Sequence, residues 1–446
     1  MEKMRQLITI SKYCPKVLLL VAMKLYYPYM MKKWFRQYKN VAVCEDFNLI
    51  YGDQDRRKMI NNGGTEIQMH VDGVLENKEL DFKLEIYYSG IWLHVYTPRA
   101  IRETVALVPD KIDRSDYEKF SFGKLCPYSF ERQRTSKEWK IRKEAILKHT
   151  PLKKPSDHIL MMLQKIKYES SKWEVDQPID IILFFNNLSL DMVCMTLFGS
   201  DFMESPLKCP YIDENNRTKN ISLPQAILNI STDLDESYSY PISQHLPVIN
   251  EKSLGNPYKR DKKNIEQTQK SLANYLKIKE ISEEQVIEDY LNVIDAADDT
   301  LDICLVSCLF RLKQNSHVHR KLVEELKSCG ITAAIDDISE LTADKLSDCD
   351  YLTYVIKECL RMDPSSICTA PYMTYEDVEI CGVRIPAKMN LVLNFIGCHY
   401  NSDQWHEPTR FIPERFDPSS EYFLKPGTGN HNKITVKMML EIHWHS

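Results

Sequence analysis

The sequence predicts a mainly α fold with small β-sheets, and three observations carry that prediction. Apolar residues recur at helical spacing through most of residues 131–310. Strand-like alternation is confined to "DFKLEIYYSGIWLHVYT" at 81–97 and "DVEICGVRIPAKMNLVLNF" at 377–395, so both ends of the chain contribute to the sheet. Only 13 of 446 residues are glycine, too few for glycine-rich phosphate loops or a tightly turned all-β architecture. The formal net charge of −5 leaves no electrostatic footprint for nucleic acid. The 13 cysteines have no regular spacing, and Cys194, Cys304, Cys308 and Cys359 fall in apolar helical runs. They read as reduced core thiols, which suits a cytosolic or cytosol-facing chain.

The elements follow in order. The run "VLLLVAM" (17–23) falls short of the roughly twenty apolar residues that span a bilayer. With Tyr26, Tyr27, Tyr29 and Trp34 beyond it, it reads as a membrane-surface or shallow signal-anchor helix, or else as a packed N-terminal helix. Two short strands flank Ser89-Gly90, and a helix starts near Pro98, where proline suits the first turn. Helical runs follow at "SKEWKIRKEAILKH" (136–149) and "LSLDMVCMTLFG" (188–199). Residues 205–225, mixing Pro, Asn, Asp and Lys, read as a surface loop. Residues 282–314 form one long helix, with Ser282-x-x-Gln285 as its capping box. The helix at "YVIKECLRM" (354–362) is apolar nearly all round, hence buried, and "WHEPTRFIPERFDP" (405–418) is a rigid extended meander.

Chemistry-bearing residues enter at that buried helix. Glu358 and Arg361 lie one turn apart on one face. A guanidinium carried by the stiff meander, Arg415, would complete a buried trio. E-x-x-R alone is common, but followed some fifty residues later by W-x-x-P-x-x-F-x-P-E-R-F it is far more specific. No G-x-S-x-G elbow or H-E-x-x-H helix appears, "PGTGNHN" is too poor for a nucleotide loop, and "KRDKKN" (259–264) reads as a solvated loop. Four N-x-S/T sequons, at Asn187, Asn216, Asn220 and Asn229, are as consistent with chance as with use.

On these motifs the sequence resembles the cytochrome P450 family over roughly residues 50–428. Glu358 and Arg361 match that family's helix-K pair and Arg415 its meander arginine. "AADDT" (296–300) falls at the family's oxygen-binding kink, and "EWKIRKEAI" (138–146) resembles its helix C. The resemblance implies a cytochrome P450 fold over 49–428, an N-terminal membrane-anchor or interface segment over 1–48 and an atypical tail over 429–446. It implies a haem-thiolate monooxygenase inserting one oxygen atom from O2 into a lipophilic substrate. Its cofactor would be haem b, with electrons from NADPH through NADPH–cytochrome P450 reductase or a similar donor. Asp299 and Thr300 would be catalytic, as a proton relay. Trp139, Arg142, Lys143, Ala296 and Ala297 would bind the cofactor, and Glu358, Arg361 and Arg415 would form the structural triad. The partners implied are that reductase, a small lipophilic molecule and, through the N-terminus, the membrane, with no nucleic acid. The location implied is the endoplasmic reticulum, with the domain facing the cytosol.

The sequence also departs from the family pattern. No cysteine follows Cys398, so the ligand loop F-x-x-G-x-R-x-C-x-G after the meander has no counterpart, and the fold reads as truncated at the C-terminus. No metal ligand is assigned, because Cys398 aligns with the strand and helix before the meander. His431, His443 and His445 lie in what reads as a frayed tail. Lys143 stands where the family prefers arginine, Tyr372 where it has a propionate arginine, Ala297 for its helix glycine and Lys388 for a turn glycine. The alternative function is therefore a catalytically dead or mis-spliced relative that keeps only the scaffold.

Overall fold

The structure, a computed structural model, describes residues 26–44, 47–48, 52–53, 58–59, 61–63, 65–87, 90–115, 129, 133–149, 159–174, 176–199, 207–226, 229, 260, 263–271, 283–332 and 341–427. Val17–Met23, Ser282 and the three tail histidines lie outside them. The named helices are α1 (Glu66–Glu76), α2 (Pro98–Val105), α3 (Lys137–His149), α4 (Ile159–Ser170), α5 (Ile181–Phe198), α6 (Glu283–Gln314), α7 (Ser316–Ser328), α8 (Ala343–Ser347), α9 (Asp350–Met362) and α10 (Phe395–His399). The strands are β1 (Val41–Val43), β2 (Phe47–Asn48), β3 (Gly52–Asp53), β4 (Phe82–Tyr87), β5 (Gly90–Val95), β6 (Ile112–Arg114), β7 (Lys208–Ile212), β8 (Thr218–Ser222), β9 (Tyr372–Thr374), β10 (Val378–Ile380), β11 (Val383–Ile385) and β12 (Asn390–Leu393). Helix dominates, with small sheets, and the chain divides into two compact units.

One unit holds the residues up to Ser115 together with Cys368–Asn401. Its six-stranded sheet runs β1-β4-β5-β12-β9-β6, so strands distant in sequence pair. In the β4–β5 hairpin Phe82 faces Val95 and Ile86 faces Ile91, while β12 adds parallel to β5 with Leu391 beside Leu93. Period-2 alternation sends Phe82, Leu84 and Ile86 to one face, and Leu84, Leu93 and Leu391 are fully buried there. The side chain of Thr97 caps α2 at the amide of Ala100, with Pro98 in the first turn.

The turn between β11 and β12 contains Lys388 at φ 64°, where its Cβ crowds the following carbonyl. Replacing Lys388 with glycine is expected to stabilise the protein by about 0.5–1 kcal/mol, since relief of that clash exceeds glycine's extra entropy cost. The urea midpoint measures it, and an unchanged or lower midpoint contradicts it.

The second unit holds the residues between Asp116 and Ile367 and those from Ser402 to Lys437. Its core joins Leu190, Val193, Cys194, Leu197 and Phe198 of α5 to Val286, Ile287, Tyr290, Leu291 and Ile294 of α6. The rings of Phe198 and Tyr290 stack with centroids 5.8 Å apart. One described helix, α5, is long and apolar enough to cross a membrane, and much of it supplies this core.

Two expectations need correction. Residues 205–225 are not a surface loop: β7 and β8 form an antiparallel hairpin, with Ile212 opposite Thr218. Cys209 and Tyr211 alternate into the core, the Asn264 side chain bonds both the amide and the carbonyl of Ile212 (2.8 and 3.0 Å), and Asn216 at φ 58° makes the turn. Helix α9 is not buried all round, because Ile356 is 39% exposed. In the meander, Pro413–Phe416 tighten into a single 3-10 turn.

Candidate functional site

The Glu358 carboxylate is the hub of a buried ionic cluster within the second unit. Arg361 reaches it with two prongs, Nε to Oε2 at 2.8 Å and Nη2 to Oε1 at 2.9 Å. Arg415 adds Nε to Oε1 at 3.1 Å, and the Ile412 amide donates to Oε1 at 2.9 Å. All three side chains are sealed from solvent. Two guanidinium groups against one carboxylate leave a surplus positive charge, and meander carbonyls absorb it. Arg361 donates to Pro408 O (2.9 Å) and Arg410 O (3.3 Å). Arg415 donates to His406 O, to Glu407 O (2.7 Å) and to Arg410 O (3.2 Å). Burial pulls the Arg415 guanidinium below its usual pKa while Glu358 pulls it back up. Arg361 also lies over the Trp405 ring at 5.5 Å. The structure thus brings Glu358, Arg361 and Arg415 together, and the trio fixes the meander's register on α9 without an open position for chemistry.

Of the helix-C residues, Trp139 is nearly buried and Lys143 sits 5.0 Å from its ring centroid. Arg142 is fully buried and engaged elsewhere. It grips Asp289 of α6 through Nε to Oδ2 (2.9 Å) and Nη2 to Oδ1 (2.5 Å). Gln285 adds a bond from its side-chain amide to Glu138 at 3.2 Å, so α3 is stitched to α6 by two polar contacts one turn apart. Spacing within α3 does not reveal Asp289, because the partner lies 147 positions away.

On α6, Ala296 and Thr300 are exposed and Ala297 is half-buried. The Thr300 hydroxyl donates to the carbonyls of Ala296 (3.0 Å) and Ala297 (3.3 Å), a local bond that competes for carbonyls of the helix ladder. The Asp299 side chain lies outside what the structure describes. Leu301 and Ile303 are also exposed, giving this stretch of helix an uncovered apolar surface. Two residues past Thr300, Asp302 is 8% exposed, among the described residues accepts only the adjacent Ile303 amide, and has its carboxyl pKa raised by burial.

Because its folded pKa is raised, Asp302 costs stability once pH exceeds the unfolded value near 4, and the cost grows until the folded pKa is passed. Asp302→Asn is therefore expected to be neutral at acid pH and stabilising by about 1 kcal/mol at neutral pH. Paired thermal melts at the two pH values check this, and equal effects at both refute it.

Further down α6, Arg311 grips Asp363, just past α9, with Nε to Oδ2 at 2.6 Å and Nη2 to Oδ1 at 2.5 Å, and the Ser307 hydroxyl joins at 2.5 Å. Among the described cysteines all are free. Cys398 lies within α10, in the first unit; its thiol donates to Tyr96 O at 3.5 Å, and burial pushes its pKa up to about 12. Tyr372 also belongs to that unit, on β9. Among the described residues no group of three or more His, Cys, Asp or Glu side chains is arranged to hold a metal ion.

A long helix tied to a K-type helix by the part-buried Arg311–Asp363 pair, with a proline-braced meander locked onto that K-type helix by the buried Glu358–Arg361–Arg415 trio, defines a protein of the cytochrome P450 class. The comparisons agree. The Cytochrome P450 family profile matches residues 147–433, and the chain belongs to the cytochrome P450 family. It is 29% identical to "Probable cytochrome P450 513A1" of Dictyostelium discoideum over 49% of this chain and 43% of that one. It is 35% identical to "Cytochrome P450 71B3" of Arabidopsis thaliana over 28% of this chain and 24% of that one. "Costunolide synthase" of Cichorium intybus is 28% identical over 31% and 26%. The chain thus spans between about a quarter and under half of the length of these relatives. Nothing in these matches favours the inactive alternative.

Proposed function

We propose that the protein is a haem-thiolate monooxygenase that inserts one oxygen atom from O2 into a lipophilic organic substrate. Electrons come from NADPH through NADPH–cytochrome P450 reductase or a similar donor. The observation that carries this reading is the open surface of α6, where Ala296 and Thr300 lie exposed beside uncovered Leu301 and Ile303 on a helix anchored by the buried Arg142–Asp289 pair. The residues present suit two parts of haem b. Exposed small and apolar side chains suit the distal wall, and Lys143 beside Trp139 suits a propionate, as a point charge rather than a fork. Arg142 serves this end indirectly, by holding α3 on α6. Among the described residues no thiol is placed as an axial ligand, and Cys398 points its thiol at Tyr96 O. Haem itself, when bound, supplies the oxygen activation. The chain's own contribution is a proton relay through Asp299 and Thr300, with the Thr300 hydroxyl resting on the carbonyls of Ala296 and Ala297.

The same reading places the protein at the endoplasmic reticulum membrane, domain toward the cytosol. Residues 26–35 are helical with Tyr26 and Tyr29 exposed, as suits an interfacial anchor, and the free thiols suit a reducing compartment. Residues 1–48 are the anchor segment and 49–428 the catalytic domain, followed by the atypical tail 429–446.

The test is the reduced carbon-monoxide difference spectrum of the protein expressed from its complete coding sequence with haem supplied. A red-shifted Soret band, the mark of thiolate ligation, is expected. An unshifted band, or failure to take up haem, overturns the reading.

A further inference from the structure

The first unit holds a buried polar cluster centred on His94 of β5. Both nitrogens of that ring are engaged. Nε2 faces Glu85 Oε2 on β4 at 3.4 Å, and Nδ1 faces the side-chain amide nitrogen of Asn394 at 3.4 Å. Asn394 is also the N-cap of α10, its Oδ1 accepting the Gly397 amide at 3.4 Å. That second bond fixes which way the Asn394 amide points. With Oδ1 given to Gly397, the NH2 group is left for His94. Nδ1 must then accept, so the ring is neutral and carries its proton on Nε2, toward Glu85.

Ionisable neighbours come from several elements. On β4, the fully buried Glu85 also meets the Lys83 ammonium, Nζ to Oε1 at 2.7 Å. The His70 ring of α1 lies with its centroid 5.2 Å from that of His94, and its Nδ1 shares a 2.6 Å hydrogen bond with the hydroxyl of Tyr96, just past β5. On the other side of β5, β12 sets Val392 in register beside His94. Burial raises the Glu85 pKa, but His94, Lys83 and His70 outweigh it and hold the carboxyl well below its usual range. Glu85 therefore stays an anion wherever imidazole titrates. It favours a proton on His94 from one side, while the Asn394 amide opposes it from the other.

We propose that His94 and Asn394 form an acid-sensitive switch on the cap of α10. When His94 takes a second ring proton, on Nδ1, it meets the Asn394 NH2 donor to donor. The Asn394 amide then turns over, its Oδ1 accepts the new N–H, and Gly397 loses its cap. Acid shifts the population this way because only the turned-over amide offers that proton an acceptor. The change stays local. Asn394 N remains bonded to Val95 O at 2.8 Å, and Gly397 is packed so closely on the Tyr96 backbone that a Cβ has no room. The first turn of α10 loosens while the sheet beneath it holds. The switch needs neither cofactor nor substrate.

Amide hydrogen exchange of the full-length protein, read by mass spectrometry at about pH 7.5 and about pH 5.5 and corrected for intrinsic rates, tests this. Peptides covering 395–400 are expected to exchange about fivefold faster at the lower pH, as loss of one helix cap requires, with β4 and β5 still protected. Asn394→Asp, whose two oxygens accept from Gly397 and His94 at once, should keep α10 protected at both pH values. His94→Gln should abolish the acid step, and His70→Gln should leave it in place, circular dichroism confirming that each variant folds. Equal protection of α10 at both pH values in the parent overturns the proposal. So does an acid step that survives His94→Gln, disappears with His70→Gln, or persists in Asn394→Asp. If the variants do not fold, the parent decides alone: a step confined to α10 upholds the switch, and one shared with β4 and β5 overturns it.

Discussion

Arg361→Lys is expected to lower the stability of the protein by about 3–5 kcal/mol, although it keeps the charge. Lysine is a compact point charge whose three donors radiate from one nitrogen, without the planar fork of a guanidinium. It cannot reach both oxygens of Glu358 and also serve the carbonyls of Pro408 and Arg410, so buried acceptors on α9 and on the meander lose partners together. Losing the planar guanidinium that lies over the Trp405 ring adds to the deficit. The urea midpoint measures the loss, and haem retention should fall with it, because the meander's register depends on the same bonds. Peptides covering α9 alone should show equal helicity with either residue, since the defect is tertiary. A variant as stable as the parent removes the bracing role of the trio.

The sequence made this cluster legible because both of its signals are local. Three residues on a helix fix the Glu358–Arg361 geometry, and prolines stiffen the segment that delivers Arg415. The β4–β5 hairpin was legible for the same reason, an uninterrupted alternation around Ser89-Gly90. The β7–β8 hairpin was not. Its polar and proline-rich composition outweighs two inward positions, Cys209 and Tyr211, and its anchor is the distant Asn264. Arg142 was legible as a basic residue one turn past Trp139, but its partner was not. Nothing in the pattern of α6 distinguishes Asp289 from the acids of "AADDT" until the helices are placed side by side. Glu325 of α7, whose carboxylate accepts the amides of Tyr351 and Leu352 at the start of α9, was hidden likewise, since a helix cap supplied by another helix leaves no capping box in the sequence.

The Arg142–Asp289 pair gives the second large effect, and a double-mutant cycle reads it. Both side chains are fully buried, so Arg142→Met strands a carboxylate and Asp289→Leu strands a guanidinium. Each single change is expected to cost about 3–5 kcal/mol. The double variant replaces two buried charges with apolar groups of comparable volume, and it is expected to recover most of that loss. Stability alone does not separate bracing from cofactor binding, but haem affinity does. If Arg142 only holds α3 on α6, the double variant binds haem nearly as well as the parent, while Lys143→Met weakens haem binding with little change in the urea midpoint. If Arg142 itself meets a propionate, the double variant regains its stability and still fails to hold haem.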